Sequence, residues 1–231
     1  MRLNPRLALG CLMLIQSLIW ADATYTDRTA FATAIASGST TLETWDELAA
    51  GDEILTPYKG ITYIPGNAGD HAQVTNQFQS LSQPNTLGAV PFGSDSACTS
   101  ARCFFDANES LTLTFSVPID IFGINFNTFA KEASYRLTTN TGSTALSGYD
   151  PFPGFSTGEF VGLITSSDFT SVTITPLAES DGEAFSYSLD NMTYGSLPSA
   201  PLPEPGSLLL LASGIAALGI IKARHTRSSR L

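Results

Sequence analysis

Histidine is almost absent from this 231-residue chain: there are two, and only His71 lies between the two ends. A zinc site built on two or three histidines is therefore excluded. A Ser-His-Asp arrangement would have to use His71, in "GDHAQVTNQ", and no G-x-S-x-G turn is present to place a serine. The sequence surroundings of His71 read as an exposed loop. Positive charge is equally scarce. Thr24 to Ala200 holds five Lys or Arg against nineteen Asp or Glu, a net charge of −14. A surface of that sign repels nucleic acid and anionic lipid, because both bind through clustered cations. It leaves divalent cations and neutral sugars as compatible partners, and in the plainest account it only keeps the chain soluble. Cysteine is limited to three, and long helix-forming runs are missing from the middle of the chain.

What is there begins with a leader. Met1 to Arg6 carries Arg2 and Arg6, an apolar stretch runs from Leu7 to Trp20, and Ala21-Asp22-Ala23 follows. A basic start, a short apolar run and small residues at −3 and −1 are the parts of a secretory signal peptide, here residues 1–23. Read instead as an anchor, fourteen residues at 1.5 Å each cover only ~21 Å of a ~30 Å hydrocarbon core. Removal of the leader takes Cys11 with it and leaves Cys98 and Cys103, in "SACTSARCFF". In an oxidising compartment an isolated close pair reads as a disulfide; in a reducing one it would be two thiols.

Residues 24–196 alternate like strands. "ESLTLTFSV" sets Leu111, Leu113, Phe115 and Val117 against Thr112, Thr114 and Ser116. That period of two marks a half-buried strand. "IFGINFNTF", "SYRLTT", "FTSVTITP" and "AFSYSLDNMTYG" behave alike, "STTLETW" and "GITYI" precede them, and "TNTGST" supplies a hairpin turn. Only "DRTAFATAIAS" suits a short helix. The stretch Gly66–Cys98 is polar and poorly periodic and reads as a long loop. The expectation is an all-β fold, a single antiparallel β-sandwich of jelly-roll type, since crossover helices for a parallel sheet are missing.

Beyond the sandwich come a Pro-rich linker at 197–205, sixteen uncharged residues at 206–221, and a basic tail at 222–231. The apolar run makes a helix of about 24 Å, workable as a membrane span with its flanks. Lys222, Arg224, Arg227 and Arg230 would stay cytoplasmic and leave the domain outside. Pro203-Glu204-Pro205, an apolar helix and a basic tail, in that order, resemble a PEP-CTERM sorting signal. The resemblance implies that Pro203, Glu204 and Pro205 are recognised by an exosortase, which removes the helix and passes the protein to the cell surface. Signal peptidase would be the second processing enzyme. It also implies a bacterial host with an extracellular polysaccharide or biofilm system. Leu202 stands where Val is commoner, and the tail's bases are spaced rather than consecutive.

The domain flanks carry a second resemblance. "TWDELAAGDEILTPYKGITY" and "FSYSLDNMTYG" are similar to the ends of β-sandwich domains found among PEP-CTERM proteins, which are themselves similar to carbohydrate-binding jelly rolls. That similarity sets Trp45, Asp46 and Leu48 against Leu189, Asp190 and Asn191, on first and last strands that are often neighbours. The residues add a phase change: Phe185, Tyr187 and Leu189 share one face, Met192 and Tyr194 the other. The shift suggests a bulge at Asp190-Asn191. A structural calcium ion held by Asp46 and Asp190, with Asn191 or Glu43 assisting, suits an acidic chain without histidine ligands; an ordinary strand end reads equally well.

For function, the leading expectation is an exported, non-catalytic structural or glycan-binding module at the cell surface or in the extracellular matrix. Tyr149, Phe152 and Phe155 in "SGYDPFPGFSTGEF" are candidate sugar contacts, although the same rings would also close the open end of a sandwich. A different class, a secreted carbohydrate-active hydrolase, would need only two carboxylates.

Overall fold

The computed structural model describes residues 22–54, 57–76, 81–91, 103–128, 134–147, 159–177 and 186–198. Its elements are β1 (Ala23–Tyr25), α1 (Arg28–Ala34), β2 (Ser39–Glu43), β3 (Ile61–Pro65), β4 (Asp70–Thr75), β5 (Thr86–Pro91), β6 (Leu111–Thr128), β7 (Ser134–Thr139), β8 (Thr144–Leu146), β9 (Glu159–Leu177) and β10 (Tyr187–Ser196). All of them lie in Met1–Leu197, the first of two units into which the chain divides.

Two long strands organise the sandwich. β6 and β9 run antiparallel from Leu111↔Ile174 to Phe126↔Glu159, with register shifts between Thr114 and Ile121. Pro118 falls inside that irregular stretch, where a missing N–H costs no ladder bond. The bend lets each strand serve two layers. In the first layer the order is β3, β6, β9, β7, β8; in the second it is β4, β5, β10, β6, β9, β1, with β2 beside the far half of β10.

The alternation read from the sequence aims one face of each layer inward. Leu111, Leu113 and Phe115 of β6 meet Phe122, Ile124 and Phe126 from beyond the bend in one core. Phe126 stacks on Tyr135 of β7 with ring centroids 4.0 Å apart, and Tyr187 of β10 lies 5.1 Å from Tyr135. Each such side chain contributes about 1.5–3 kcal/mol by leaving water.

The outer faces differ. On the second layer α1 lies against the sheet, as the short helical pattern near Asp27 anticipates. Asp27 caps it by accepting from the Ala30 N–H at 2.6 Å. Phe31 of α1 packs over Gly123 and Gly162, which are paired across β6 and β9 and leave room for the ring. On the first layer no described element packs against the outer face, whose residues are exposed or half-exposed.

Three sequence readings are corrected. "ESLTLTFSV" and "IFGINFNTF" join into one bent strand. Gly66–Cys98 contains β4 and β5, which pair from Asp70↔Pro91 to Thr75↔Thr86. β4 is buried on both faces, so its polar residues break the expected alternation. His71, expected in an exposed loop, sits in β4 at 6 % exposure with Nε2 2.9 Å from Glu53 Oε1. Residues 1–21 and 199–231, and with them all of the leader but Asp22 and Ala23, all of the linker but Leu197 and Pro198, and the whole apolar run and tail, lie outside the described residues. Among the described residues no helix is long and apolar enough to cross a membrane.

Candidate functional site: acids at the ends of the strands

The bulge anticipated in β10 is present. Its register against β6 shifts between Asp190 and Thr193, and Asn191 takes φ 49°, a left-handed conformation that Asn tolerates better than most residues. Beyond the bulge β10 pairs with β2, Met192 opposite Glu43. The two ends of the domain are therefore neighbours.

The acids gathered there hold chain segments. Asp190 is fully buried; Oδ2 accepts from the Ser82 N–H at 2.9 Å, and Oδ1 from the Ser82 hydroxyl at 2.8 Å and the Asn191 N–H at 2.7 Å. Burial raises its pKa, and those hydrogen bonds oppose the rise without cancelling it. Asp46 Oδ1 accepts from the Asn85 N–H at 3.0 Å, while Asn85 Nδ2 donates to the carbonyls of Leu48 and Trp45. Asp46 and Asp190 thus grip opposite ends of residues 82–85. Glu43, also fully buried, accepts from the Trp45 N–H at 2.9 Å and pairs with Lys59 at 2.8 Å. Lys59 and the Tyr58 hydroxyl both donate to Glu47. Burial, with the Glu47 contact, pushes the Tyr58 phenol up to about 12.

A different trio comes closer together. One oxygen each of Asp70, Asp106 and Glu109 lie within 4.8 Å of one another, the one three-acid group among the described residues. Asp70 opens β4; Asp106 and Glu109 belong to the turn before β6. Glu109 is 1 % exposed, and its Oε2 accepts from the Asp106 N–H at 3.0 Å, its Oε1 from the Asn67 N–H at 3.4 Å. Burial, then the neighbouring Asp70 and Asp106 charges, push its carboxyl up to about 7. The sequence shows the Asp106–Glu109 spacing but nothing that brings Asp70 to it; the β4–β5 hairpin does that. Chemically the trio offers oxygen donors to a hard cation or a shared proton.

Cys103 is buried beside β5: a Cβ on Gly88 would meet the Cys103 carbonyl oxygen at 2.1 Å. Cys98, the aromatic residues Tyr149, Phe152 and Phe155, and Pro203, Glu204 and Pro205 lie outside the described residues.

No family model and no curated protein matches the chain. Among solved structures it is similar to a mutant family 29 carbohydrate-binding module complexed with mannohexaose, at 9 % identity over 69 % of this chain and 94 % of that one, TM-score 0.36. The CBM22-1–CBM22-2 tandem domain from Paenibacillus barcinonensis aligns at 14 % identity over 74 % and 49 %, TM-score 0.39. A family two carbohydrate esterase from Cellvibrio japonicus aligns at 15 % over 62 % and 37 %, TM-score 0.31. The chain thus spans about half of the second of these chains and about a third of the third. At such scores the likeness carries no conclusion about ligand or activity.

Proposed function

We propose that the chain is an exported, non-catalytic β-sandwich module that reaches the cell surface or extracellular matrix and associates there with neutral polysaccharide. The observation that carries the non-catalytic part is the use of the buried acids. Glu43, Glu109 and Asp190, and half-buried Asp46 beside them, each accept from a backbone N–H of a loop or turn. Groups fixed in that way hold strand ends together and have little freedom to shuttle protons to a substrate. Neutral sugar, rather than nucleic acid or anionic lipid, suits a chain of net charge −10.

One observation favours the hydrolase reading: Glu109, pushed up to about 7, stands near two further carboxylates, as a general acid beside its partner would. Against it, Glu109 is buried and both its oxygens face backbone N–H groups. Binding of the exported protein to arrayed neutral polysaccharides, with reducing ends assayed in parallel, separates the readings. Retention without release of reducing ends is the expected result. Release that Glu109→Gln abolishes makes the protein a hydrolase, and absence of any retention ends the binding reading.

The address belongs to the same proposal: leader removal by signal peptidase, recognition of Pro203-Glu204-Pro205 by an exosortase, and a Cys98–Cys103 bridge after export. Mass spectrometry of surface material should find no peptide beyond Pro205 and no free thiol at either cysteine before reduction. Full-length chains ending at Leu231, still in the inner membrane, would mean a permanent anchor; alkylation of both cysteines without reductant would exclude the bridge.

A further inference from the structure

The open face of the first layer has a regular composition. Across its five strands the outward residues fall into three paired rows. The central row reads Ile64, Thr112, Thr173, Thr138, Thr144, each opposite the next. On one side lie Thr62, Thr114 and Ser171; on the other, Thr175, Arg136 and Leu146. Eight of these eleven positions carry a hydroxyl and one carries a charge.

Threonine is a good strand former, and cross-strand Thr pairs such as Thr112 Oγ1 and Thr173 Oγ1, 3.0 Å apart, stabilise a sheet by themselves. Two features go beyond that account. The face carries one charged residue, the cation Arg136, and none of the chain's twenty-one acids. The central row also begins at Ile64, 51 % exposed, while Leu146, 53 % exposed, borders its far end on β8. Two large aliphatic side chains thus stand in water at opposite sides of a face that presents no acid.

The dimensions limit what can cover it. Four strand spacings of ~4.8 Å give a row of roughly 19 Å, and the three rows extend roughly 13 Å along the strands. That is a small fraction of the ~800 Å² per partner that a stable protein interface buries. The accumulated twist of five strands also keeps the face from lying flat on a crystal plane. A narrow linear ligand fits both limits.

We propose that this threonine face is a binding site for a single extended chain of neutral polysaccharide, lying along the central row and crossing the strands. A hydroxyl every ~4.8 Å matches the step of about one pyranose unit in an extended chain, so successive sugars meet equivalent donors and acceptors. The threonine methyl groups and the flanking Ile64 and Leu146 cover the apolar C–H faces of the rings. The site deepens the polysaccharide-binding reading, and rests on it.

Titration of the exported protein with β-1,4-linked glucose oligomers of two to six units tests the site, with hydroxyethylcellulose as the polymeric probe and a polyuronate as the anionic control. Affinity should rise with length up to about four or five units, the span of the row, and then level off. It should change little between low and high salt, because neither partner contributes clustered charge. Thr112→Lys and Thr138→Lys, with unchanged melting temperatures, should each weaken hydroxyethylcellulose binding at least about tenfold, whereas Tyr149→Ala and Phe152→Ala should not. Thr173→Val, which keeps the branched shape and loses the hydroxyl, should also weaken it. Undiminished binding by both lysine variants overturns the site. If the Tyr149 and Phe152 variants lose binding instead, the polysaccharide reading stands with its site in the aromatic segment. A preference for the polyuronate, or a plateau at two units, overturns the face as drawn. Wild type that binds neither hydroxyethylcellulose nor any arrayed neutral polysaccharide removes both proposals.

Discussion

Glu109 concentrates the physical chemistry of this fold in one side chain. It is buried beside two other carboxyls, and its pKa lies at about 7 instead of the ordinary 4.5. The folded state therefore holds a proton, between pH 4.5 and 7, that the unfolded chain releases. Since stability falls with rising pH wherever the native state binds more protons, this group stabilises fully below about pH 4.5 and loses its contribution as pH rises through about 7. The whole effect is on the order of 3 kcal/mol, shared among coupled neighbours rather than owned by one residue. Glu109→Gln keeps one of the two hydrogen-bond acceptors and cannot ionise, so it lowers stability by a pH-independent amount and removes the pH-dependent one. Thermal melts from pH 4.5 to 8 should show wild type losing stability relative to Glu109→Gln across that range. Parallel curves for the two proteins would mean that Glu109 titrates normally and that its carboxyl is open to water.

At the scale of elements, the clearest coupling joins α1 to the second layer. A Cβ on Gly162 would stand 2.5 Å from Phe31 Cδ2, and one on Gly123 2.7 Å from Phe31 Cε1. Gly162→Ala should cost about 1–3 kcal/mol by overpacking, and Phe31→Ala about 3–5 kcal/mol by the cavity it leaves. In the Phe31→Ala background Gly162→Ala should cost far less, and a double-mutant cycle by urea denaturation reads the difference. Additive costs would show that the helix does not rest on this glycine pair. The same elements explain what the sequence reveals. The strands around Thr112 and Thr173 are legible because one face meets solvent, so apolar and polar residues alternate. β4 and the first half of β9 are covered on both sides and lose that signature. The β10 bulge is legible because it shifts the apolar phase between Leu189 and Met192. The partners of Asp46 and Asp190, by contrast, lie in residues 82–85, which carry no periodicity, so no pattern in the sequence connects them.

For the whole molecule, the open question of physical chemistry is how so acidic a domain balances its repulsion, and calcium is the expected counter-charge. The proposal read from the sequence places the ion on Asp46 and Asp190. In the structure those acids hold residues 82–85, and the three carboxyls that come together among the described residues are Asp70, Asp106 and Glu109. The two assignments differ in a measurable way. An ion that binds the folded state and hardly the unfolded one adds about 2.7 kcal/mol at a hundred times its dissociation constant. For a domain of this size each kcal/mol moves the melting temperature by ~2–4 °C, so calcium should raise it visibly above an EDTA-treated sample. Asp190→Asn removes that increment if the ion sits at the β2–β10 junction; Glu109→Gln removes it if the ion sits before β6. In the second case calcium must also displace the proton that Glu109 holds near neutrality, so the increment should grow between pH 6 and 8, whereas Asp190→Asn should leave it intact. Identical melting in calcium and in EDTA, for wild type across that pH range, would show that hydrogen bonds to the buried acids hold the strand ends together without an ion.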